Sequence, residues 1–201
     1  MPRLRIEQVN TLQLNGVSLS VNAGECVCIS GSSGSGKTLL LRAIADLDPH
    51  QGEVYLDDIP SQQIPAPQWR RQVALLSAES QWWAETVGEH FESVDESFLH
   101  SLGFTSSPMD WSIERLSTGE KQRLALLRVL SLRPKVLLLD EPTANLDFAS
   151  GQAMEHLLME YQRSEQVAVI WVSHDAAQIA RVAQRHFEIE SDRIQEHARC
   201  N

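Results

Sequence analysis

The sequence has little cysteine and no long apolar run, and both shortages limit the classes of protein it fits. Its 201 residues include three cysteines, an odd number that argues against a disulfide framework. The longest apolar runs, such as 167–172, are far too short to cross a bilayer. The first residues lack the apolar region of a signal peptide. We therefore expect a cytosolic chain without a membrane span.

Positive charge is also scarce. Lysine and arginine number 17 against 27 acids, which gives a net charge of −10. This balance provides no electrostatic footprint for nucleic acid, so no nucleic-acid partner is expected. Hydrophobic residues make up 42% of the chain, enough for a sizeable core. The length predicts a single domain over 1–201.

Short apolar segments alternate with amphipathic segments along most of the chain. Strands are predicted at 4–9, 16–21, 25–30, 52–58, 71–76, 135–141, 167–175 and 186–190. Helices are predicted at 39–47, 87–91, 96–102, 116–132, 150–164 and 176–185. Uniformly apolar strands between helices indicate an α/β fold with a mainly parallel sheet flanked by helices. Alternating strands in the first third indicate an amino-terminal antiparallel β subdomain.

A glycine-rich turn between a predicted strand and a predicted helix matches the P-loop pattern in full. The residues that it predicts to bind nucleotide are Gly31, Ser32, Ser33, Gly34, Ser35, Gly36, Lys37 and Thr38. Backbone N–H groups of such a loop surround phosphate oxygens, and the following helix directs its positive end at them. Lys37 would reach the β- and γ-phosphates, and the Thr38 hydroxyl would ligate Mg²⁺. A chance match is the alternative, but the strand–loop–helix context favours the P-loop.

The buried strand predicted near 136–141 ends in two acids. Asp140 is predicted to hold Mg²⁺, and Glu141 to polarise the attacking water as general base. Such an ending is weak evidence alone, because acids commonly begin loops. With a P-loop about 100 residues upstream it indicates a nucleotide hydrolase.

The stretch "LSTGE", followed by "KQR", resembles the signature motif of ATP-binding-cassette (ABC) ATPases. Its residues are Leu116, Ser117, Thr118, Gly119 and Glu120. Thr118 stands where the family usually has glycine. Ser117 and Glu120 also have the spacing of a capping box, so an ordinary helix start is the alternative interpretation. The resemblance implies that Ser117 and the Gly119 N–H bind the γ-phosphate of a nucleotide held by a second subunit.

Two more motifs follow in the family's order. "ANLD" resembles the D-loop, with Asn145 and Asp147 in place. "VSHD" puts His174 where the family has a switch histidine that contacts the γ-phosphate and positions Glu141. Together the motifs extend the resemblance over essentially the whole chain. They imply a P-loop NTPase with the ABC-type nucleotide-binding domain, using ATP and Mg²⁺.

One departure from the family lies at its Q-loop, where a glutamine touches Mg²⁺ and the attacking water. A gapless alignment puts Ala78 at that position, with Glu79 and Gln81 nearby. Either Glu79 takes over the metal-side role, or Gln81 does, or the contact is lost. Because a carboxylate is the better Mg²⁺ ligand, Glu79 is the favoured candidate. That Glu79 is only a solvated loop residue is an equal alternative.

The segment 79–115 is short for the family's helical subdomain, which forms much of the groove for a membrane partner. Trp82 and Trp83 fall where family members carry apolar groove residues. Because adjacent side chains on a strand point to opposite faces, at least one tryptophan is expected at the groove surface. The alternative is that both are buried in the loop's own packing.

The family usually stacks adenine on an aromatic side chain ahead of the second strand, and this chain has none there. Residues 9–19 offer only Leu12 or Leu14 for the contact. An aliphatic side chain loses the base–aromatic stacking, worth about 1–3 kcal/mol per base. We therefore expect modest nucleotide affinity and poor base selectivity.

The resemblance implies an ATP-hydrolysing ABC transporter subunit that forms a head-to-tail homodimer and drives a separate transmembrane permease. It would lie in the cytoplasm on the inner face of the cell membrane. In size and outline the chain resembles small cassettes of bacterial exporters, including the putative iron-export type. The alternatives are a soluble, non-transport ABC ATPase and an ATP-binding regulatory switch with weak hydrolysis. The acidic composition argues against the first, and Asp140, Glu141 and His174 argue against the second.

Overall fold

Two sheets and six α-helices make up the computed structural model, which describes residues 1–197. The strands are β1 (Leu4–Asn10), β2 (Val17–Val21), β3 (Cys26–Gly31), β4 (Gln51–Leu56), β5 (Ile59–Pro60), β6 (Val73–Leu76), β7 (Val136–Asp140), β8 (Ala168–Val172), β9 (Arg185–Glu190) and β10 (Arg193–His197). The helices are α1 (Lys37–Ile44), α2 (Ala66–Gln72), α3 (Glu96–Ser101), α4 (Thr118–Ser131), α5 (Phe148–Ser164) and α6 (Ala176–Val182). The predicted domain runs to residue 201, and its last four residues lie outside this description.

The larger sheet has the strand order β10-β9-β3-β8-β7-β6. All neighbours pair in parallel except β10, which runs antiparallel to β9. Every residue of β7 and β8 is buried, as expected of strands covered on both faces. The predicted mainly parallel sheet is confirmed.

The smaller sheet has the order β2-β1-β4-β5 and is antiparallel throughout. In β2, residues Val17, Leu19 and Val21 are buried while the serines between them are not, so one face packs inward. This alternation is typical of a half-buried antiparallel sheet. The predicted amino-terminal antiparallel subdomain is confirmed.

Two hydrophobic clusters lie on opposite faces of the larger sheet. Side chains alternate between them along each strand: Leu138 joins the cluster shared with the smaller sheet and α1, whereas Leu137 and Leu139 join the cluster beneath α4 and α5. Cys26 and Cys28 belong to the second cluster, where both are buried. No helix within residues 1–197 is long and apolar enough to cross a bilayer.

The segment between β6 and α4 contains little regular structure. Its one α-helix in the described chain is the six-residue α3, flanked by 3₁₀ turns at Gly88–His90 and Ile113–Arg115. The helix predicted at 87–91 is therefore only a single 3₁₀ turn. A bridge between Thr86 and Ser112 ties the ends of the segment together.

Several predicted boundaries are wrong. Arg71 and Gln72, predicted as strand, are the last residues of α2, a helix that the sequence analysis missed. The helix predicted over 39–47 begins at Lys37 and ends at Ile44, and the one predicted over 176–185 ends at Val182. The strand β10 and the short β5 were also missed.

Candidate active site

Three parallel strands of the larger sheet end at one edge. Register places Ile29 of β3 and Asp140 of β7 on either side of Val172 in β8. Glu141 donates its N–H to the Val172 carbonyl at 3.2 Å, and Ser173 donates its N–H to the Ile29 carbonyl at 3.3 Å. We call this the catalytic edge, because the P-loop, the two acids and His174 all follow these strands.

The P-loop passes from β3 into α1 through glycines with positive φ. At Gly36, φ is +99°, and a Cβ would lie 3.1 Å from the Gln13 side chain. At Gly31, φ is +147°, and a Cβ would lie 2.9 Å from the Ile189 carbonyl oxygen. Gly36 precedes α1 without a side-chain cap, so the first N–H groups of the helix stay available for an anion. The loop thus has the geometry of a phosphate-binding site.

Lys37 is buried at the start of α1, and its ammonium group lies across the loop. Nζ donates to the carbonyl oxygens of Gly31 and Ser32, both at 2.8 Å. Burial lowers the pKa of Lys37, while the charges of Glu141 and Asp140 oppose that shift. A cation held here can contact phosphate oxygens bound by the loop.

Thr38 and Asp140 meet across the catalytic edge. The Thr38 hydroxyl donates to Asp140 Oδ2 at 2.8 Å. Burial raises the pKa of Asp140, and the hydrogen bond from Thr38 partly offsets this rise. A hydroxyl and a carboxylate are the hard oxygen ligands that Mg²⁺ prefers, so this pair fits the predicted metal.

Glu141 and His174 form the second pair at the catalytic edge. The distance from His174 Nε2 to Glu141 Oε1 is 2.7 Å, and both side chains are partly exposed. Glu141 has φ +46°, an uncommon conformation for a residue with a Cβ. It opens a tight turn in which Ala144 donates its N–H to the Glu141 carbonyl. The structure therefore brings the predicted base and switch histidine into direct contact.

The signature residues begin α4, and the predicted capping box is present. Ser117 Oγ accepts from the Glu120 N–H, and the Glu120 carboxylate accepts from the Ser117 N–H at 2.8 Å. Gly119 packs against the D-loop, since a Cβ there would lie 3.3 Å from Leu146. Within residues 1–197, no hydrogen bond or ion pair joins residues 116–120 to the P-loop of the same chain.

The D-loop lies in the turn between β7 and α5. Asn145 is exposed, and its carbonyl oxygen faces Gly119 of the signature motif. Asp147 is the N-cap of α5, because its carboxylate accepts from the Ser150 N–H at 3.0 Å and from the Ser150 hydroxyl at 2.7 Å. The structure therefore brings the D-loop to the signature motif of its own chain.

The Q-loop region follows β6. Ala78 is half-buried and has no polar side-chain group to offer. Glu79 is exposed, and its carboxylate has no hydrogen-bond or ion-pair partner in the described part of the chain. The Gln81 carbonyl accepts from Arg128 of α4 at 3.0 Å, and its side chain is exposed. Of these three residues, only Glu79 has a carboxylate, and that group is available to a ligand in the described part of the chain.

The adjacent tryptophans lie in a loop, not on a strand. Trp82 is half-buried and donates to the Ser80 hydroxyl, whereas Trp83 is 72% exposed. Both rings meet His90 edge-on, with centroids 4.8 and 4.6 Å away. The exposure of Trp83 is compatible with the predicted groove surface, which stays a prediction, and the argument from strand geometry is wrong. Trp83, His90 and Arg128 border a cavity of about 500 Å³.

His90 and Arg128 were missed as residues that organise this loop. His90 Nε2 accepts the N–H groups of Trp83 and Ala84 at 3.0 and 3.1 Å. The Arg128 guanidinium lies 4.7 Å from the Trp82 ring and 4.9 Å from the Trp83 ring. Burial lowers the pKa of Arg128. The Arg128 contact has no local sequence signal, because α4 and the loop are far apart in the chain. His90 is only seven residues from Trp83, but the loop between them has no periodic pattern that would predict the contact.

The two candidate adenine contacts, Leu12 and Leu14, lie in the loop before β2 and differ in exposure. Leu14 is fully buried in the core, so it is not available to a nucleotide. Leu12 is 94% exposed. Thr11 Oγ1 accepts from the N–H groups of Gln13 and Leu14, which fixes the turn against Gly36. Leu12 is therefore presented beside the P-loop.

Comparison with known proteins gives a family match and many related sequences. The family model described as "ABC transporter" matches residues 14–144. The chain is 31% identical to the probable iron export ATP-binding protein FetA of Escherichia coli K12, over 89% of this chain and 87% of that protein. It is 32% identical to the spermidine/putrescine import ATP-binding protein PotA of Legionella pneumophila (strain Paris), over 92% of this chain but only 56% of that protein. It is 36% identical to the aliphatic sulfonates import ATP-binding protein SsuB of Rhodopseudomonas palustris (strain BisA53), over 90% and 66%.

Two solved structures share the fold. A bacterial Atm1-family ABC exporter with ATP bound superposes with a TM-score of 0.85 at 21% identity, over 97% of this chain and 38% of that one. A dimeric ATP-binding cassette in a post-hydrolysis state, bound to ADP and Pi, superposes with a TM-score of 0.83 at 22% identity, over 96% and 97%. At these identities the likeness establishes the fold, and the roles of individual residues rest on the geometry above.

Proposed function

The chain belongs to the ABC transporter family, and we propose that the catalytic edge is its ATP-hydrolysing site, with a separate membrane permease as the partner that hydrolysis drives. The protein is an ATPase and an ATP-binding transporter subunit of this family. One observation carries the assignment of residues. Two pairs, Thr38 with Asp140 and Glu141 with His174, lie side by side where three parallel strands end.

The nucleotide would bind with its phosphates in residues 31–38. The N–H groups at the start of α1 and the Lys37 ammonium bind phosphate oxygens, and the Thr11–Leu14 turn presents Leu12 to the base. Thr38 and Asp140 would hold Mg²⁺, which, when bound, neutralises charge that develops on the phosphates. Asp140 has to be ionised for this role, and the Thr38 hydrogen bond favours the ionised form.

Glu141 is the proposed general base. It orients the attacking water and accepts its proton, and His174, 2.7 Å away, holds the carboxylate in place. The contact with Val172 and the turn at residues 141–146 fix the backbone of Glu141 at the end of β7. Positioning of this kind is a large part of catalysis in phosphoryl transfer.

A second copy of the chain would complete the site. Ser117 and Gly119 begin a long helix, whose amino end favours an anion. These residues have no bond to the P-loop of their own chain in the described part of the structure, which supports a head-to-tail homodimer. Asn145 and Asp147 lie in the turn that packs against Gly119, so the D-loop would lie beside the same interface.

The permease is proposed to dock at the loop around Trp83, which places the protein on the inner face of the cell membrane. Trp83 is exposed beside a cavity, and its backbone is held by His90. Tryptophan is enriched among residues that dominate binding energy. Relatives at similar identity include both export and import subunits, so the permease would set the direction and the cargo.

Capture of partners from membranes of the source cells tests the transporter role. The tagged chain is expected to retain an integral membrane protein after mild detergent extraction, and Trp83→Ala to lower the yield about tenfold or more. Ile59→Ala, which removes another exposed apolar side chain on the smaller sheet, serves as the control. Recovery of only ribosomes or DNA-processing enzymes would favour a soluble, non-transport ATPase instead.

A further inference from the structure

Three buried glutamines each donate hydrogen bonds to a specific acceptor. Gln122 donates to the Ser77 carbonyl, and Gln162 donates to the Gly24 carbonyl. Gln178 differs from both, because its amide nitrogen donates to two side chains on two other elements. The acceptors are Thr143 Oγ1 at 2.8 Å and Glu155 Oε1 at 2.7 Å.

The chain positions of Gln178 and Thr143 link them to the catalytic edge. Gln178 follows His174 by four residues, and Thr143 follows Glu141 by two. The hydrogen bond between Gln178 and Thr143 therefore joins the same two segments that the Glu141–His174 contact joins. Beyond the pairing of β7 with β8, the two segments are thus joined by two side-chain contacts, which restrain their relative orientation more than one contact alone.

The second acceptor of Gln178, the Glu155 carboxylate, is itself held by a further side chain. Glu155 of α5 is buried, and Arg181 of α6 binds its carboxylate with two hydrogen bonds of 3.0 and 2.9 Å. The hydrogen bonds that Arg181 donates to Glu155 raise the pKa of Arg181. Gln178 and Arg181 thus hold α6 against α5 through one carboxylate. These hydrogen bonds restrain the elements that they join, and removal of a buried member leaves its partner groups unpaired.

The turn that receives Gln178 holds Glu141 in an uncommon backbone conformation. Glu141 has φ +46°, and such conformations persist only when the surrounding structure constrains them. Thr143 lies within this turn, and its carbonyl accepts from the Leu146 N–H at 3.1 Å. A displacement of about 1 Å at a reacting group can lower a rate about a hundredfold. The Thr143 side chain is therefore placed to control the position of Glu141.

We propose that Gln178, acting through Thr143, is a positioning residue for hydrolysis, which holds the segment of His174 in register with the turn of Glu141. This inference rests on the proposed function, because it assigns the reaction to Glu141. Neither Gln178 nor Thr143 touches the nucleotide in this account. Their effect falls on the rate of the chemical step and not on binding.

The test compares Thr143→Val with Thr143→Ser. Valine removes the hydroxyl at nearly constant shape, whereas serine retains it. Thr143→Val is expected to lower kcat about tenfold or more while KM for ATP stays within about twofold, and Thr143→Ser is expected to stay close to the wild type. Gln178→Leu should reproduce the loss, and the double variant should be no slower than Gln178→Leu alone, because the connection to Thr143 is already absent there.

Gln162→Leu is the matched control. It also removes a buried amide, but its acceptor precedes β3 at the edge of the sheet opposite the catalytic edge. It is expected to lower Tm and leave kcat unchanged. Wild-type kcat in Thr143→Val, or an equal loss of kcat in Gln162→Leu, would overturn the proposal. Glu141→Gln in the same assay tests the proposed function separately from the positioning role of Gln178. Retained turnover in Glu141→Gln would refute the proposed function itself.

Discussion

Leu12 is the proposed contact for the base, where related proteins usually have an aromatic side chain. The turn that carries it is fixed by Thr11 and packs on Gly36, so its position does not depend on the nucleotide. Leu12 is almost fully exposed. An aliphatic contact gives apolar burial without base stacking, and it does not distinguish adenine from guanine.

Leu12→Tyr is expected to tighten ATP binding about tenfold, because stacking contributes about 1–3 kcal/mol per base. Equilibrium titration with a fluorescent nucleotide measures the change, and Leu12→Ala controls for loss of the leucine itself. In the wild type, ATP and GTP should bind with affinities less than tenfold apart. A larger difference between them, or no gain in Leu12→Tyr, would rule out Leu12 as the base contact.

Glu79 is the other residue for which a departure in sequence predicts a role, at the metal side of the site. Glu79→Ala is expected to lower Mg²⁺-dependent kcat roughly tenfold to a hundredfold, as loss of a metal-side partner commonly does. Titration of the phosphate-release rate with Mg²⁺ is the measurement. Glu85→Ala removes another exposed acid from the same segment and should have no effect. Equal rates in the wild type, Glu79→Ala and Glu85→Ala would show that Glu79 is a solvated loop residue without a role in turnover.

The site residues that could be predicted from the sequence lie in contiguous motifs. The P-loop, Asp140, Glu141 and His174 each follow a buried strand, and parallel strands bring their ends together. Arg128 and Gln178 were not predicted, because each contacts a segment remote in the chain. His90 was not predicted either, because the loop that it shares with Trp83 has no periodic pattern. Only Gln178 carried a signal, since it shares the buried face of α6 with Val182 one turn later.

Among the elements, α4 shows how one sequence motif serves two purposes. Its capping box is formed in the isolated chain, so Ser117 and Glu120 stabilise the helix whether or not a partner is bound. The backbone N–H of Ser117, and then its hydroxyl, lower the pKa of Glu120 below its ordinary 4.5. The proposed phosphate contact in a dimer would use the same helix end.

The lowered pKa of Glu120 predicts a pH-dependent contribution to stability. Because the folded pKa lies below the unfolded one, the ionised carboxylate stabilises the fold above pH 4.5 and ceases to do so as the pH falls through the folded value. Glu120→Gln keeps the shape of the cap without the charge. The Tm of the wild type should therefore exceed that of Glu120→Gln at pH 7, and the difference should vanish under acid. A difference that is constant with pH would contradict this origin.

Element boundaries were harder to predict than element types. No helix was predicted at α2, although Pro65 at its N-cap and Pro67 in its first turn are compatible with a helix start. Its final residues, Arg71 and Gln72, were then assigned to the strand that follows. The loop of Trp82 and Trp83 has no periodic pattern at all, because its shape depends on His90 and Arg128.

At the scale of the whole molecule, the alternation of strands and helices was enough to predict a parallel sheet beside an antiparallel one. The strand order β10-β9-β3-β8-β7-β6 was not predictable, because it depends on which strands pair over long sequence distances. This order puts β3 between β9 and β8 and so brings the P-loop to Glu141 and His174. It leaves the signature motif of the same chain without a bond to the P-loop within residues 1–197.

In the proposed head-to-tail homodimer, each ATP lies between the P-loop of one copy and the signature motif of the other. Light scattering of Glu141→Gln with Mg²⁺ and ATP measures this association directly, with phosphate release followed in the same samples. The variant should lose turnover and show the mass of two chains with ATP, but the mass of one chain with ADP. Adding Ser117→Arg, which places a bulky side chain at the proposed phosphate contact, should restore the single-chain mass. A Glu141→Gln protein that hydrolyses ATP at the wild-type rate, or that keeps the mass of one chain with ATP, would contradict the account.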